Sequence, residues 1–153
     1  MTVDWLYRVR QNTSAIADAI EYYEKEITEA KKETSLKGSV EKHSRDIPGI
    51  IENRFSQLQE MEAILEYLNI ELSKMRSEKF KKYLEAYNRA LSSRDAERYI
   101  EFEQDIVDMK HLVNEFALCR NRMMAIIKGI DAKQYQIGNI IKLRAAGLED
   151  LGL

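Results

Sequence analysis

Long, unbroken apolar repeats are the feature of this sequence that most restricts its fold. Apolar residues that recur at alternating steps of three and four lie along one side of a helix. The first repeat consists of Leu6, Val9, Thr13, Ile16, Ile20, Tyr23, Ile27 and Ala30. Two further repeats follow, and the 153 residues include one proline and six glycines, too few turn formers for a sheet. We predict an all-α protein of long antiparallel helices with coiled-coil-like seams, forming a helical bundle within a homo-oligomer.

The repeats predict an N-terminal helix and a separate helical core. Residues 1–33 form the first helix, which Thr2 can cap and which ends near Glu33. Residues 34–47 are polar and aperiodic, as in a mobile linker. Pro48 then opens a second helix that continues to about residue 91, because proline is well tolerated in a first helical turn.

The helical core spans residues 48–147, and its part after residue 91 has two interpretations. Ser92 and Ser93 can cap a third helix, whose seam includes Tyr99 and Phe102. A break near Gly129 gives a separate C-terminal helix over 132–146, with Gly147 at its C′ position and a tail over 148–153. The alternative is one bent helix through 129, since the apolar register continues on both sides.

Side chains suited to catalysis or metal binding are scarce. The single cysteine, Cys119, excludes a disulfide framework and a thiolate zinc site, and its apolar surroundings predict a small core residue. Asp108 and His111 share one helix face, but a di-metal bundle needs two Glu-x-x-His pairs and further carboxylates. No Walker loop or glycine-rich fingerprint occurs. We expect no enzymatic activity, no catalytic residues, no cofactor and no metal.

Apolar runs are too short to cross a bilayer, and no secretory signal is visible. We therefore expect a cytoplasmic protein, in the host cytoplasm if it is viral, without membrane association.

Charge is arranged in blocks that the net charge of −2 conceals. Residues 74–94 contain seven bases and two acids, whereas residues 95–108 contain six acids and one arginine. Blocks of opposite sign suit helices that pair with each other, and they equally suit one basic surface on an acidic body. Between Lys74 and Arg89 the cations alternate with aromatic rings. Single-stranded DNA requires both cations and rings, although rings at helical spacing can equally be core.

Two stretches resemble the UvsY-type recombination mediators of tailed phages, over residues 50–147. The C-terminal motif is Tyr135, Ile137, Ile140, Leu143, Arg144 and Ala145, followed by Ala146 and Gly147. The basic motif is Lys74, Arg76 and Phe80. Gly138 replaces a lysine of the family pattern, Lys79 replaces its first aromatic residue, and the glycine-rich stretch that follows in the family is missing.

The resemblance implies a non-enzymatic protein that binds single-stranded DNA and forms ring-like oligomers. It also implies that the protein helps to load a RecA-type recombinase onto strands coated by single-strand binding protein. The implied DNA-binding residues are Lys74, Arg76, Lys79, Phe80, Lys81, Lys82, Tyr83 and Arg89. The implied subunit contacts of the C-terminal helix are Ile137, Ile140, Ile141 and Leu143.

The first helix is the best candidate to pack on another chain, because the polar linker separates it from the core. Its predicted oligomerisation residues are Leu6, Ile16, Ile20 and Ile27. An alternative function remains open at this point. The chain could be a coiled-coil protein-interaction module, such as a phage scaffold or assembly protein or an inhibitor of a host protein. In that case it does not bind DNA, and the basic blocks pair only with acidic ones.

Overall fold

The computed structural model describes residues 3–87 and 92–147 of the chain. Within these ranges the chain is helical with short connections and contains no strand, which confirms the all-α prediction. The helices are α1 (Trp5–Gln11), α2 (Ile16–Glu33), α3 (Val40–Tyr87), α4 (Ser93–Ile100) and α5 (Gln104–Ala145). A single 3₁₀ turn, Thr13–Ala15, joins α1 to α2.

The two longest helices, α3 and α5, pack antiparallel as a hairpin and form the main structural unit of the molecule. At 1.5 Å per residue the two helices are about 70 and about 60 Å long. Arg120 of α5 donates to Glu62 near the middle of α3, while Lys79 near the end of α3 pairs with Asp105 at the start of α5. The shorter α1 and α2 pack on the middle of this hairpin, where the most deeply buried side chains lie. These include Tyr23, Met61, Ile64, Leu68, Phe116 and Met123.

The predicted continuous first helix is wrong, because the chain breaks at Asn12. The backbone of Asn12 is extended, and its side-chain oxygen accepts a hydrogen bond from the Ser14 amide at 3.1 Å. This local cap competes with the helix, as asparagine side chains commonly do. The break lets α1 fold back, so that the ring centroids of Trp5 and Tyr22 lie 5.5 Å apart. Thr2 lies outside the described residues.

The predicted linker is also wrong over most of its length, because α3 begins at Val40. The Ser39 hydroxyl accepts a hydrogen bond from the Lys42 amide at 3.2 Å and caps the helix. Val40 and Ile47 are buried in the core, so their burial outweighs the missing amide hydrogen of Pro48, which lies inside α3. The connection from α2 to α3 is therefore residues 34–39 only.

The predicted third helix divides into two, and its predicted start is confirmed. The Ser92 hydroxyl accepts from the Asp95 amide at 3.2 Å and caps α4. A tight turn over 101–103 then separates α4 from α5, and its hydrogen bonds run from the Phe102 and Glu103 amides to Tyr99 and Ile100.

The chain does not break at Gly129, so the separate helix over 132–146 is wrong and the single-helix alternative is correct. The apolar register persists because Ile126, Ile130 and Ile137 are all buried. Gly147 has a φ of +78° directly after the C-cap, as predicted for a C′ glycine. Residues 88–91 and the tail over 148–153 lie outside the described ranges.

The structure does not support residues 1–33 as a detached oligomerisation arm. Ile16, Ile20 and Ile27 are buried within the chain's own core, and Leu6 packs against that core. Folding back on α3 and α5 satisfies this apolar face within one chain.

Candidate nucleic-acid interface

The predicted DNA-binding cations are divided between two sides of α3. Successive residues of a helix differ by 100° in direction, so residues seven apart share a face. Lys74 and Lys81 are such a pair, and both are exposed on the outer side of α3. Arg76 and Lys79 face α4 and α5 and are partly buried. The sequence therefore predicts one basic segment, whereas the structure separates it into an inner and an outer set.

The inner cations are neutralised within the chain. We call residues 101–105, which join α4 to the start of α5, the acidic junction. Arg76 Nε donates to Glu101 Oε1 at 2.8 Å and Nη2 donates to Oε2 at 3.3 Å. Lys79 Nζ lies 3.0 Å from Asp105 Oδ2. A third cation, Lys110, also pairs with Glu101.

These ion pairs change the proton affinities of the groups involved. Hydrogen bonding by Lys110, and then by Arg76, lowers the pKa of Glu101. Lys79 lowers the pKa of Asp105, and Asp105 raises the pKa of Lys79. The charged forms of Glu101, Asp105 and Lys79 are therefore favoured in the folded chain.

The two predicted stacking rings also face inward. The Tyr83 hydroxyl donates to Glu103 at 2.5 Å, and its ring stacks on Tyr99 with centroids 6.4 Å apart and planes 13° apart. Phe80 is half-buried and lines a cavity of about 530 Å³ between α3 and α4, together with Arg76 and Ile100. Both rings are thus held by the protein, in keeping with the core interpretation.

Two other rings are exposed at this end of the molecule. Tyr99 is 57% exposed and Phe102 is 84% exposed, although the apolar register assigns both to the third seam. Periodicity alone misses this result because α4 buries Ala96 and Ile100 instead of Tyr99, and Phe102 lies in the turn that follows. Flanking acids are no signal for this exposure, because Met61 lies between two glutamates and is fully buried.

We call Lys81, Lys82, Tyr99 and Phe102 the distal cluster. Lys81 and Lys82 are exposed and make no ion pair with any residue that the structure describes. Tyr99 stacks on Tyr83, the next residue after Lys82, which places its ring at the same end of α3 as the two lysines. Lys74 is exposed as well, and its Nζ lies 3.1 Å from Glu71. Arg89 lies outside the described residues.

The predicted subunit contacts on α5 occupy different environments. Ile137 is buried in the core, and Ile140 packs against the core and is partly buried. Ile141 is 49% exposed and Leu143 is 38% exposed. Ile141 and Arg144 line a cavity of about 490 Å³ with Val40 and Arg45 at the start of α3.

The residues considered for metal and thiol chemistry lie in ordinary environments. Asp108 accepts a hydrogen bond from Gln104 at 2.7 Å, and His111 is exposed. Over residues 3–87 and 92–147, no three His, Cys, Asp or Glu side chains are arranged to hold a metal. Cys119 is buried as predicted, and desolvation raises the pKa of its thiol to about 11.

Comparisons with protein-family models, curated proteins and solved structures gave no match for this chain. Across the described ranges, no helix has both the length and the apolar character needed to cross a membrane.

Proposed function

We propose that this protein is a non-enzymatic mediator that binds single-stranded DNA through the distal cluster. The observation that carries the proposal is the exposure of Tyr99 and Phe102 at the end of the molecule that presents Lys81 and Lys82. Bases of a single strand stack on exposed rings, and each stacked base contributes about 1–3 kcal/mol. Exposed cations bind the phosphates between those bases.

The resemblance to UvsY-type mediators supports the same function from the sequence. It extends the proposal to a RecA-type recombinase and single-strand binding protein as partners, and to a homo-oligomer as the active form. An oligomer repeats the distal cluster once per subunit. Weak sites then reinforce one another on a long strand, which accounts for DNA binding by a chain with a net charge of −2.

The test is binding of a fluorescent oligothymidine at several salt concentrations. For single strands, each phosphate contact contributes about −0.7 to the slope of log affinity against log salt. The Lys81→Gln/Lys82→Gln variant should therefore flatten the slope by about 1.4, at roughly 0.7 for each contact removed. The matched control, Lys25→Gln/Lys128→Gln, removes the same charge from α2 and the middle of α5 and should leave the slope unchanged. No affinity at about 100 mM salt, or an equal effect of both variants, would contradict the proposal.

The protein-interaction module remains a second candidate, because a specific observation favours it. Arg76 and Lys79 are paired with the acidic junction of the same chain, as the alternative interpretation of the charge blocks requires. The Glu101→Gln/Asp105→Asn variant discriminates between the two functions. If the chain binds DNA, releasing these cations should raise its affinity several-fold. If it is an interaction module, neither the parent nor the variant should bind.

A further inference from the structure

A second group of cations surrounds a cavity where α2 ends and α3 begins. The cavity has a volume of about 390 Å³, and Lys37, Lys42, His43 and Lys133 contribute to its lining. Lys42 precedes Lys82 by 40 residues of α3, which at 1.5 Å per residue places it roughly 60 Å from the distal cluster. The two sites can therefore be tested independently.

Lys133 is the unusual member of this group, because it is only 3% exposed. Its Nζ donates to the Glu33 carbonyl oxygen at 2.8 Å, and it makes no ion pair with a described carboxylate. An ammonium group has three donors, so two of them have no protein acceptor within the described ranges. Desolvation lowers the pKa of Lys133. A buried ammonium without a paired carboxylate is costly unless another acceptor reaches it.

The connection from α2 to α3 shapes the cavity around this group. Gly38 has a φ of +102°, a conformation that glycine adopts without steric cost. The turn brings the Lys37 carbonyl oxygen within 2.7 Å of His43 Nε2 and places Ser39 as the cap of α3. The Lys42 and His43 amides of this first turn are both bonded to Ser39 and are therefore not donors to a ligand.

The acids near the cavity leave its positive charge in excess. Both oxygens of the Glu33 carboxylate accept from Arg54, at 2.8 and 2.6 Å. Asp46 also lines the cavity and forms no close ion pair with a described residue. Lys32 also lines the cavity, but its Nζ pairs with Glu29 at 3.0 Å, so a single carboxylate faces the three remaining ammonium groups of Lys37, Lys42 and Lys133.

We infer that this cavity binds a small anion that carries a phosphate group. Phosphate oxygens accept strong hydrogen bonds from ammonium groups, and the lysines that line the cavity supply them. The buried position of Lys133 favours a compact anion over a polymer strand. Pocket volumes of about 300–1,000 Å³ accommodate small ligands, so an anion larger than a single phosphate also fits.

Isothermal titration of the full chain with inorganic pyrophosphate tests this inference. We expect saturable binding that the Lys37→Ala/Lys42→Ala variant weakens at least tenfold. The Lys25→Ala/Lys128→Ala variant removes the same charge elsewhere and should bind as the parent does. The Lys81→Gln/Lys82→Gln variant should also bind as the parent does, which separates this site from the proposed DNA site.

Lys133→Met supplies a second measurement, with circular dichroism to establish that the variant folds. If it folds, it should abolish pyrophosphate binding; if it does not fold, the Lys37→Ala/Lys42→Ala comparison decides. No saturable binding, or an equal loss in the Lys25→Ala/Lys128→Ala control, would overturn the inference. A short oligonucleotide that competes with pyrophosphate for this site would also overturn the inference. The site would then bind the backbone phosphates of a strand instead of a small anion.

Discussion

Polar residues at seam positions are the most informative single residues in this chain. Arg54 follows Ile51 in the apolar register of α3 and is only 5% exposed. Its guanidinium binds both oxygens of Glu33 and one oxygen of Glu26, and it also donates to Gln57. Neither the apolar pattern nor the charge blocks predicted this role of Arg54. The sequence could not identify the helix that supplies these carboxylates, because the fold-back of α2 determines it.

Removing Arg54 should destabilise the protein strongly. Arg54→Ala leaves two partly buried carboxylates without their partner, and breaking such a pair costs about 3–5 kcal/mol. The control is Arg122→Ala, since Arg122 is exposed and lies 4.0 Å from Glu24. Exposed pairs contribute about 0–1 kcal/mol. Urea denaturation of both variants measures the difference, and similar losses of unfolding free energy would argue against a structural role for Arg54.

Glu101 should make stability depend on acid pH. Its folded pKa is lowered from the ordinary value of 4.5, so its stabilising effect is present above that value and is lost as the pH falls through the folded pKa. Glu101→Gln should therefore have a lower urea midpoint than the parent at pH 7, and this gap should narrow at pH 3. Glu115→Gln, on the exposed side of α5, should show little gap at either pH. A gap of constant size for Glu101→Gln would mean that the ion pairs with Lys110 and Arg76 do not cause it.

At the scale of elements, the sequence predicted the buried residues more accurately than it predicted the ends of the helices. The seams of α2, α3 and α5 are buried because apolar spacing encodes a face directly. The break at Asn12 depends on a local side-chain cap that apolar periodicity does not encode, and the turn over 101–103 is next to ion pairs of Glu101 and Asp105 with α3 that form only when the helices pack. The same limit applies to the candidate site, where Lys81 and Lys82 are exposed but Arg76 and Lys79 are held by acids over 20 residues away in sequence.

The two glycines inside α5 should respond differently to alanine. A Cβ at Gly138 would meet no atom within 4 Å, whereas a Cβ at Gly129 would lie 3.1 Å from Thr34 Cγ2. Alanine inside a helix is favoured over glycine by about 0.5–1 kcal/mol, which is the gain in unfolding free energy expected for Gly138→Ala. Gly129→Ala should gain less or lose stability, because the end of α2 must move away from α5. Equal gains in unfolding free energy, measured by urea denaturation, would mean that the close approach of Gly129 and Thr34 does not limit the stability of the alanine variant.

At the scale of the whole molecule, one chain is a slender hairpin with its proposed DNA site at one end. The C-terminal end of α5, which carries the exposed Ile141 and Leu143, lies at the opposite end of the hairpin. Subunits joined there would leave every distal cluster free to bind a strand. This arrangement would couple oligomerisation to DNA affinity, because linked sites can raise the apparent affinity by about 10²–10⁴ without any new contact.

The Ile141→Asp/Leu143→Asp variant tests that coupling. We expect light scattering to report a homo-oligomer for the parent and a smaller assembly for the variant, because charged side chains oppose an apolar subunit contact. Its affinity for a long oligothymidine should fall by about 100-fold, while its affinity for a strand that spans one site should change little, since only linked sites gain from avidity. The control is Tyr135→Asp, which adds a charge at an exposed position about 9 Å closer to the middle of α5 and should leave the assembly intact. Equal losses on long and short strands would show that the substitutions act on the binding site itself, and an unchanged assembly would remove these two residues from the subunit contact.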